Sequence, residues 1–193
     1  MSPTRYPDGA TGPFPKPPLS FVDGDDRTVE VRPSDGGRTT RATLVEMYDD
    51  FDPADRAQGI PPNGRDRVRE WLDAVLADDC HNVVARDRDG ENAVGHATLV
   101  PDEDAWELAI FVLQSHQGAG VGTRLLRALL GHAERVGVEK VWLTVERWNR
   151  PAVALYEKTG FETADAESFE LVMTIRLAPD AYGDRDPGPT DVG

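Results

Sequence analysis

Apolar and polar positions alternate over "RTVEVRP" (27–33), which predicts a strand that stops at Pro33. The pattern then changes period. "TTRATLVEMYDDF" (39–51) carries Ala42, Val45, Met47, Tyr48 and Phe51 near helical spacing, and "RDRVREWLDAVLA" (65–77) puts Val68, Trp71, Leu72, Val75 and Leu76 on one helical face. The Pro- and Gly-punctuated "FDPADRAQGIPPNG" between them reads as a loop. Three strand-like runs follow, "HNVVARD" (81–87), "NAVGHATLV" (92–100) and "AWELAIFVL" (105–113), and their short joins suit an antiparallel meander. The pattern of "GVGTRLLRALLGHAERVG" (120–137) predicts a helix with Leu125, Leu126, Leu129, Leu130, Ala133 and Val136 on its buried side. Strand "KVWLTVE" (140–146), short helix "RPAVALYEKTG" (150–160) and closing strands "FET" and "ESFELVMTIRL" (167–177) complete the chain. This order predicts an α/β (α+β) fold with helices on both faces of a mixed sheet. The antiparallel meander precedes a β-α-β-α-β C-terminal half.

Composition sets the limits. Of 193 residues, the first 25 carry "GPFPKPP" and "DGDD", and the last 15 read "PDAYGDRDPGPTDVG". Both ends are expected to be disordered tails (1–25 and 179–193) around one domain at 26–178. Net charge is −14, from 35 acids against 21 bases, and only Lys16, Lys140 and Lys158 are lysines. An acidic, lysine-poor surface is expected of a halophilic protein, because at about 1 M salt a Debye length of roughly 3 Å screens the self-repulsion. An acidic protein of an ordinary cell has the same balance. No basic stripe invites nucleic acid. The one cysteine, Cys80, excludes an intramolecular disulfide and a cysteine-based metal cluster. With nothing like a signal peptide and no apolar run of membrane-spanning length, the expectation is a soluble cytoplasmic protein that engages no membrane.

The candidate chemistry centres on "QGAGVGT" (117–123), where glycines at 118, 120 and 122 fall between a strand and a helix. The first turn of that helix offers unpaired N–H groups and a positive dipole end, an anion site, and glycines there let phosphates approach the main chain. The same glycines also suit a tight turn and close helix–sheet packing. A dinucleotide fold needs G-x-G-x-x-G early in a β-α-β unit, and a Walker loop needs Gly-Lys-Ser/Thr; neither is present.

Gln117, Gly120 and Gly122 together resemble the Gln/Arg-x-x-Gly-x-Gly/Ala signature of the GNAT superfamily (Gcn5-related N-acetyltransferases). "NRPAVALYEKTGFE" is similar to that family's Asn…Ala…Leu-Tyr-x-x-x-Gly-Phe segment, and element order agrees over roughly residues 27–177. The resemblance implies a GNAT fold, acetyl-CoA as co-substrate, no metal, and direct acetyl transfer to a primary amine of a small molecule or protein. It implies that Phe111 and Val112 face pantetheine, that Gln117, Gly118, Ala119, Gly120, Val121, Gly122 and Thr123 cradle the pyrophosphate, and that Asn149 touches the pantetheine arm. Relatives of this kind often form homodimers. The chain departs from the pattern at Gln114, where proline is frequent, and at Ala119, where a basic residue is frequent. The second change removes a charge but no amide.

Two residues are candidates for catalysis. Asn149 reads as an N-cap, Pro151 fits the first turn and Gly160 closes the helix. Tyr156, seven residues after Asn149, lies near the same azimuth. The resemblance directs its phenol at the thiol, where it can protonate the departing thiolate; a core tyrosine is the alternative. Glu107, five residues before Val112, is the expected base for the amine, since many family members carry glutamate there. Strand parity places Glu107 and Val112 on opposite faces, so the assignment expects a β-bulge to realign them; a solvent-facing glutamate is the other outcome.

The remaining polar residues are weaker candidates. His116 is a loop histidine, and His96 a satisfied core residue more readily than a pocket lining. His81 and His132 lack partners at metal spacing, and Cys80 has no activating neighbour. Asp52, Asp55 and Arg56 border the acceptor groove by family position. Other readings remain. A fold of this family can serve as a non-catalytic acyl-CoA-binding or interaction module, and a nucleotide-binding regulator would bind NAD or ATP instead.

Overall fold

A computed structural model describes residues 4–34, 36–55, 60–88, 92–166 and 169–178. Eight strands form one sheet in the order β1-β2-β3-β4-β5-β6-β8-β7. Strands β2 (Thr28–Ser34), β3 (His81–Asp87), β4 (Ala93–Asp102) and β5 (Ala105–Val112) make the expected antiparallel meander. Strand β6 (Lys140–Glu146) runs parallel to β5, while β8 (Glu170–Arg176) and β7 (Glu162–Ala166) finish the sheet antiparallel.

Helices cover both faces. On one, α3 (Val121–Arg135) and α4 (Arg150–Thr159) bury Leu125, Leu126, Leu129, Leu130 and Tyr156 against Val83, Leu99, Leu108, Leu143 and Met173. The other face carries α1 (Arg38–Asp49) and α2 (Arg65–Val75), which bury Leu44, Tyr48, Val68 and Leu72 over Val84 and Leu113. The alternation of β5 divides its residues between the two. Leu108, Ile110 and Val112 pack toward α3, and Phe111 packs toward α1 and α2. No helix among the described residues is long and apolar enough to cross a membrane.

Residues 4–25 correct the expectation of a disordered tail over residues 1–25, whose first three lie outside the described residues. Leu19–Val22 form β1, paired antiparallel with β2 from Leu19↔Val31 to Val22↔Thr28. Phe14 belongs to the main core, and Thr11 bridges Leu177 through a 2.8 Å bond to the Arg176 carbonyl. The segment even explains a glycine inside α3: a Cβ on Gly131 would lie 2.2 Å from the Pro15 carbonyl oxygen. Prolines and acids dilute the apolar residues here, so composition reads as solvated, yet Phe14, Leu19 and Phe21 still reach the core. The tail at 179–193 lies outside the described residues.

Candidate functional site

The site begins where two parallel strands separate. Pairing between β5 and β6 is recorded at Trp106↔Val141 and Glu107↔Trp142, at the start of both strands. In the β4–β5 ladder, Leu113 N–H donates to the Val94 carbonyl at 2.9 Å, so odd-numbered β5 residues form the hydrogen-bonded pairs with β4. The peptide groups of Ile110 and Val112 therefore point the other way, into the fork. At its end the Val112 carbonyl accepts from Gln117 Nε2 at 3.0 Å. This refines the expectation for Phe111 and Val112. Val112 turns its backbone to the fork, whereas the Phe111 ring packs 5.6 Å from both Tyr48 and Trp71.

The glycine loop stands next to the fork. Gly118 (φ 73°) and Gly120 (φ 87°) occupy the left-handed region, and a Cβ on either would meet nothing within 4 Å. Gly120 caps α3 without a side-chain hydrogen bond, so the N–H groups of Val121, Gly122 and Thr123 open the helix in the way an anion site requires. Gly122 has a different role. It is helical, and a Cβ there would make ordinary 3.8 Å contacts with Val112 and Leu155. Two glycines answer to backbone conformation, and the third sits where β5, α3 and α4 converge. Ala119 turns its carbonyl to Gly24, whose N–H donates at 2.9 Å.

Helix α4 closes the same end. Asn149 Oδ1 accepts from Ala152 N–H at 3.2 Å, Pro151 sits in the first turn, and Gly160 (φ 108°) ends the helix. The cap occupies the oxygen of Asn149. Tyr156 is buried against Phe161, with ring centroids 5.7 Å apart, and burial pushes its phenol up to about 12. It stays protonated at neutral pH.

Glu107 requires a correction. The β4–β5 register runs without interruption from Gly95↔Val112 to Asp102↔Ala105, so no bulge realigns Glu107 with Val112. The shift in this meander lies instead between Ala85 and Arg86 in β3–β4. Glu107 shares the α1/α2 face with Phe111 and sits at the last β5–β6 pair, at the apex of the fork. Its side chain is exposed, yet partial burial, and then the charge of Asp102, raise its pKa.

A cleft of about 420 Å³ opens on that face, lined by Tyr48, Asp49, Asp50, Asp52, Asn63 and Gln114 among others. Gln114, which stands where proline is frequent, ties the rim together. Its Nε2 donates to the Asp50 carbonyl at 3.0 Å, and its Oε1 accepts from Asp52 N–H at 3.3 Å. Asp49 pairs with Arg65 at 2.6 Å, and Asp55 accepts from Gln117 Nε2 at 2.8 Å. Arg56 lies outside the described residues.

The histidines divide as their surroundings dictate. His96 is a buried core residue: Tyr48 donates its hydroxyl hydrogen to Nδ1 at 2.7 Å, and Nε2–H donates to Asn82 Oδ1 at 2.8 Å. The tautomer follows from Asn82, whose Nδ2 donates to the Val75 carbonyl. Burial takes His96 down to about 3, so it stays neutral. His116 is also buried, with Nδ1 against Ser115 Oγ at 2.9 Å. His81 and His132 face one another 5.6 Å apart at the start of β3 and the end of α3, with the His81 ring 4.6 Å from that of Trp106. Cys80 is half-buried beside Asp79 and its thiol is raised by burial, which disfavours the thiolate.

Sequence reasoning missed Asp23, Gly24 and Arg27, the β1–β2 turn that reaches this loop. The signal was present in "LSFVDGDDR", an alternating run before an Asp-Gly turn, but it fell inside the stretch assigned to the tail.

Comparison with known proteins gives a consistent picture. A mycothiol acetyltransferase of Corynebacterium glutamicum is 41% identical over 80 residues, which are 40% of this chain and 27% of that protein. The chain thus spans about a quarter of that curated relative's length. Among solved structures, the GNAT domain of S. lividans PAT has a TM-score of 0.71 at 18% identity, covering 82% of this chain and 96% of that one. Spermidine N-acetyltransferase from Vibrio cholerae, in complex with CoA and spermine, has a TM-score of 0.60 at 20% identity, covering 78% and 96%. The model of the acetyltransferase (GNAT) family matches residues 44–161, from the middle of α1 to the end of the tyrosine helix. By that match the chain belongs to the GNAT acetyltransferase family.

Proposed function

We propose that the protein transfers an acetyl group from acetyl-CoA to a primary amine. One observation carries this reading: the edge of β5 beyond its pairing with β6 leads to the open N-terminus of α3. A strand edge suits the amide-bearing pantetheine arm, and a helix mouth flanked by Gly118 and Gly120 suits a diphosphate. No metal is needed for either contact.

The chemistry follows from the placement of two groups. The acceptor amine attacks the thioester carbon while its proton passes to the Glu107 carboxylate, directly or through water. The carbon–sulfur bond breaks as Tyr156 donates its phenolic proton to the leaving sulfur. A backbone N–H in the fork can polarise the carbonyl. The acceptor enters from the α1/α2 face, where Asp50 and Asp52 at the cleft favour a cationic amine. The spermidine acetyltransferase complex with spermine supports that class of acceptor, and the acidic surface supports work in concentrated salt.

The test is CoA release from acetyl-CoA with a panel of polyamines, aminoglycosides and peptide amines, at low and molar salt. Turnover with at least one amine is expected. Tight acetyl-CoA binding with no turnover on any amine would favour a non-catalytic acyl-CoA-binding module.

A further inference from the structure

The β1–β2 turn makes three contacts with the glycine loop and the helix behind it. Gly24 N–H donates to the Ala119 carbonyl at 2.9 Å, and Arg27 Nη1 donates to the Ser115 carbonyl at 2.7 Å. The Arg124 guanidinium, in the first turn of α3, lies 5.2 Å from the Phe21 ring centroid. Arg27 is itself held: Nε donates to Asp23 Oδ2 at 2.8 Å and Nη2 pairs with Asp25 at 2.9 Å. The buried Asp23 carboxylate also accepts the N–H groups of Asp25 and Arg27. These bonds hold Asp23, against its own burial, down to about 2.

We infer that Asp23, Gly24 and Arg27 are positioning residues for the diphosphate of the donor, acting through the carbonyls of Ser115 and Ala119. The inference rests on the proposed acetyl-CoA site. A trans peptide points its C=O and N–H in opposite directions. Tying the Ala119 oxygen to the hairpin therefore turns the Gly120 N–H away from it. Gly118 and Gly120 can adopt many conformations, so their loop needs an outside restraint to hold one of them. A Cβ on Gly24 would lie 3.3 Å from the Ala119 Cα, a tight contact that the loop would have to yield to by a few tenths of an ångström. The donors of Arg27 are divided among Asp23, Asp25 and Ser115, a span that one lysine ammonium cannot cover.

Arg27→Met and Arg27→Lys test this in the full chain, with Arg32→Met as a control because Arg32 pairs locally with Glu30 on the same strand. Donors are acetyl-CoA and acetyl-pantetheine, which lacks the diphosphate. Both Arg27 variants are expected to raise KM for acetyl-CoA about tenfold, leave kcat within twofold, and leave kcat/KM for acetyl-pantetheine unchanged. Unaltered acetyl-CoA KM, equal losses with both donors, or full rescue by lysine would overturn the inference. If Arg27→Met does not fold, Arg27→Lys and Asp23→Asn carry the same comparison. Failure of the wild-type protein to bind acetyl-CoA is a separate result, and it removes the underlying functional reading.

Discussion

Glu107 of β5 and Trp142 of β6 face each other as the final recorded pair of the two parallel strands. Beyond them the even-numbered peptide groups of β5 have only the fork to face. The same pair places a carboxylate of raised pKa at the apex, on the strand face that α1 and α2 cover further along. In the proposed reading, the edge that takes the donor and the face that takes the acceptor meet at this pair.

Tyr156→Phe separates chemistry from binding. The phenol is protonated at neutral pH and the ring stays buried in either variant. Loss of a general acid costs on the order of 10²-fold or more. We expect kcat to fall by about that factor while calorimetry finds acetyl-CoA affinity unchanged. Unchanged kcat would remove Tyr156 from the mechanism.

Glu107 must be ionised to accept a proton, so activity should rise with pH through its raised pKa. Asp102 contributes to that rise, and it also accepts from Trp142 Nε1 at 3.1 Å. Asp102→Asn removes the charge and keeps an acceptor oxygen, so the acid limb of kcat/KM should move to lower pH. Glu107→Gln should abolish that limb and lower the rate about 10²-fold or more. A pH profile indifferent to both substitutions would leave the amine's proton to a water chain.

Gly131→Ala tests the amino-terminal packing. In an ordinary helix interior this change stabilises by roughly 0.5–1 kcal/mol. Here the new methyl would meet the Pro15 carbonyl oxygen, so a loss of about 1–3 kcal/mol is expected. Deleting residues 1–25 should likewise lower Tm, because it removes β1 and uncovers core surface. Stabilisation by Gly131→Ala would contradict this packing.

Stability should also fall on mild acidification. His96 is held neutral down to about 3, far below an unfolded histidine, so the unfolded chain binds the extra proton once pH drops under about 6.5. Its contribution is fully present above that value and declines by about 1.4 kcal/mol per pH unit below it. His81, His116 and His132 shift in the same direction. Denaturant titrations at pH 7 and pH 5 should show the decline, and His96→Gln should reduce the slope. Equal slopes would mean that His96 titrates normally in the folded protein.

Much of this arrangement was legible in the sequence, because hydrophobic periodicity and glycine placement report local geometry. His81–Asp87 and Lys140–Glu146 fall where alternation places them, and Asn149 caps α4 as its position before Pro151 suggests. Long-range packing was not legible. Nothing near Phe14 announces that it docks beside Gly131, and nothing in "DGDDR" announces Ser115 and Ala119 as partners. The side of the strand presented by Glu107 depended on whether β5 carries a bulge, a property of pairing that parity alone leaves open.

The most direct measurement is a calorimetric titration of acetyl-CoA into the intact chain at low and at molar salt. Saturable heat at one site per chain is predicted, with competition from CoA. An absence of heat under both conditions would contradict a diphosphate held at the mouth of α3.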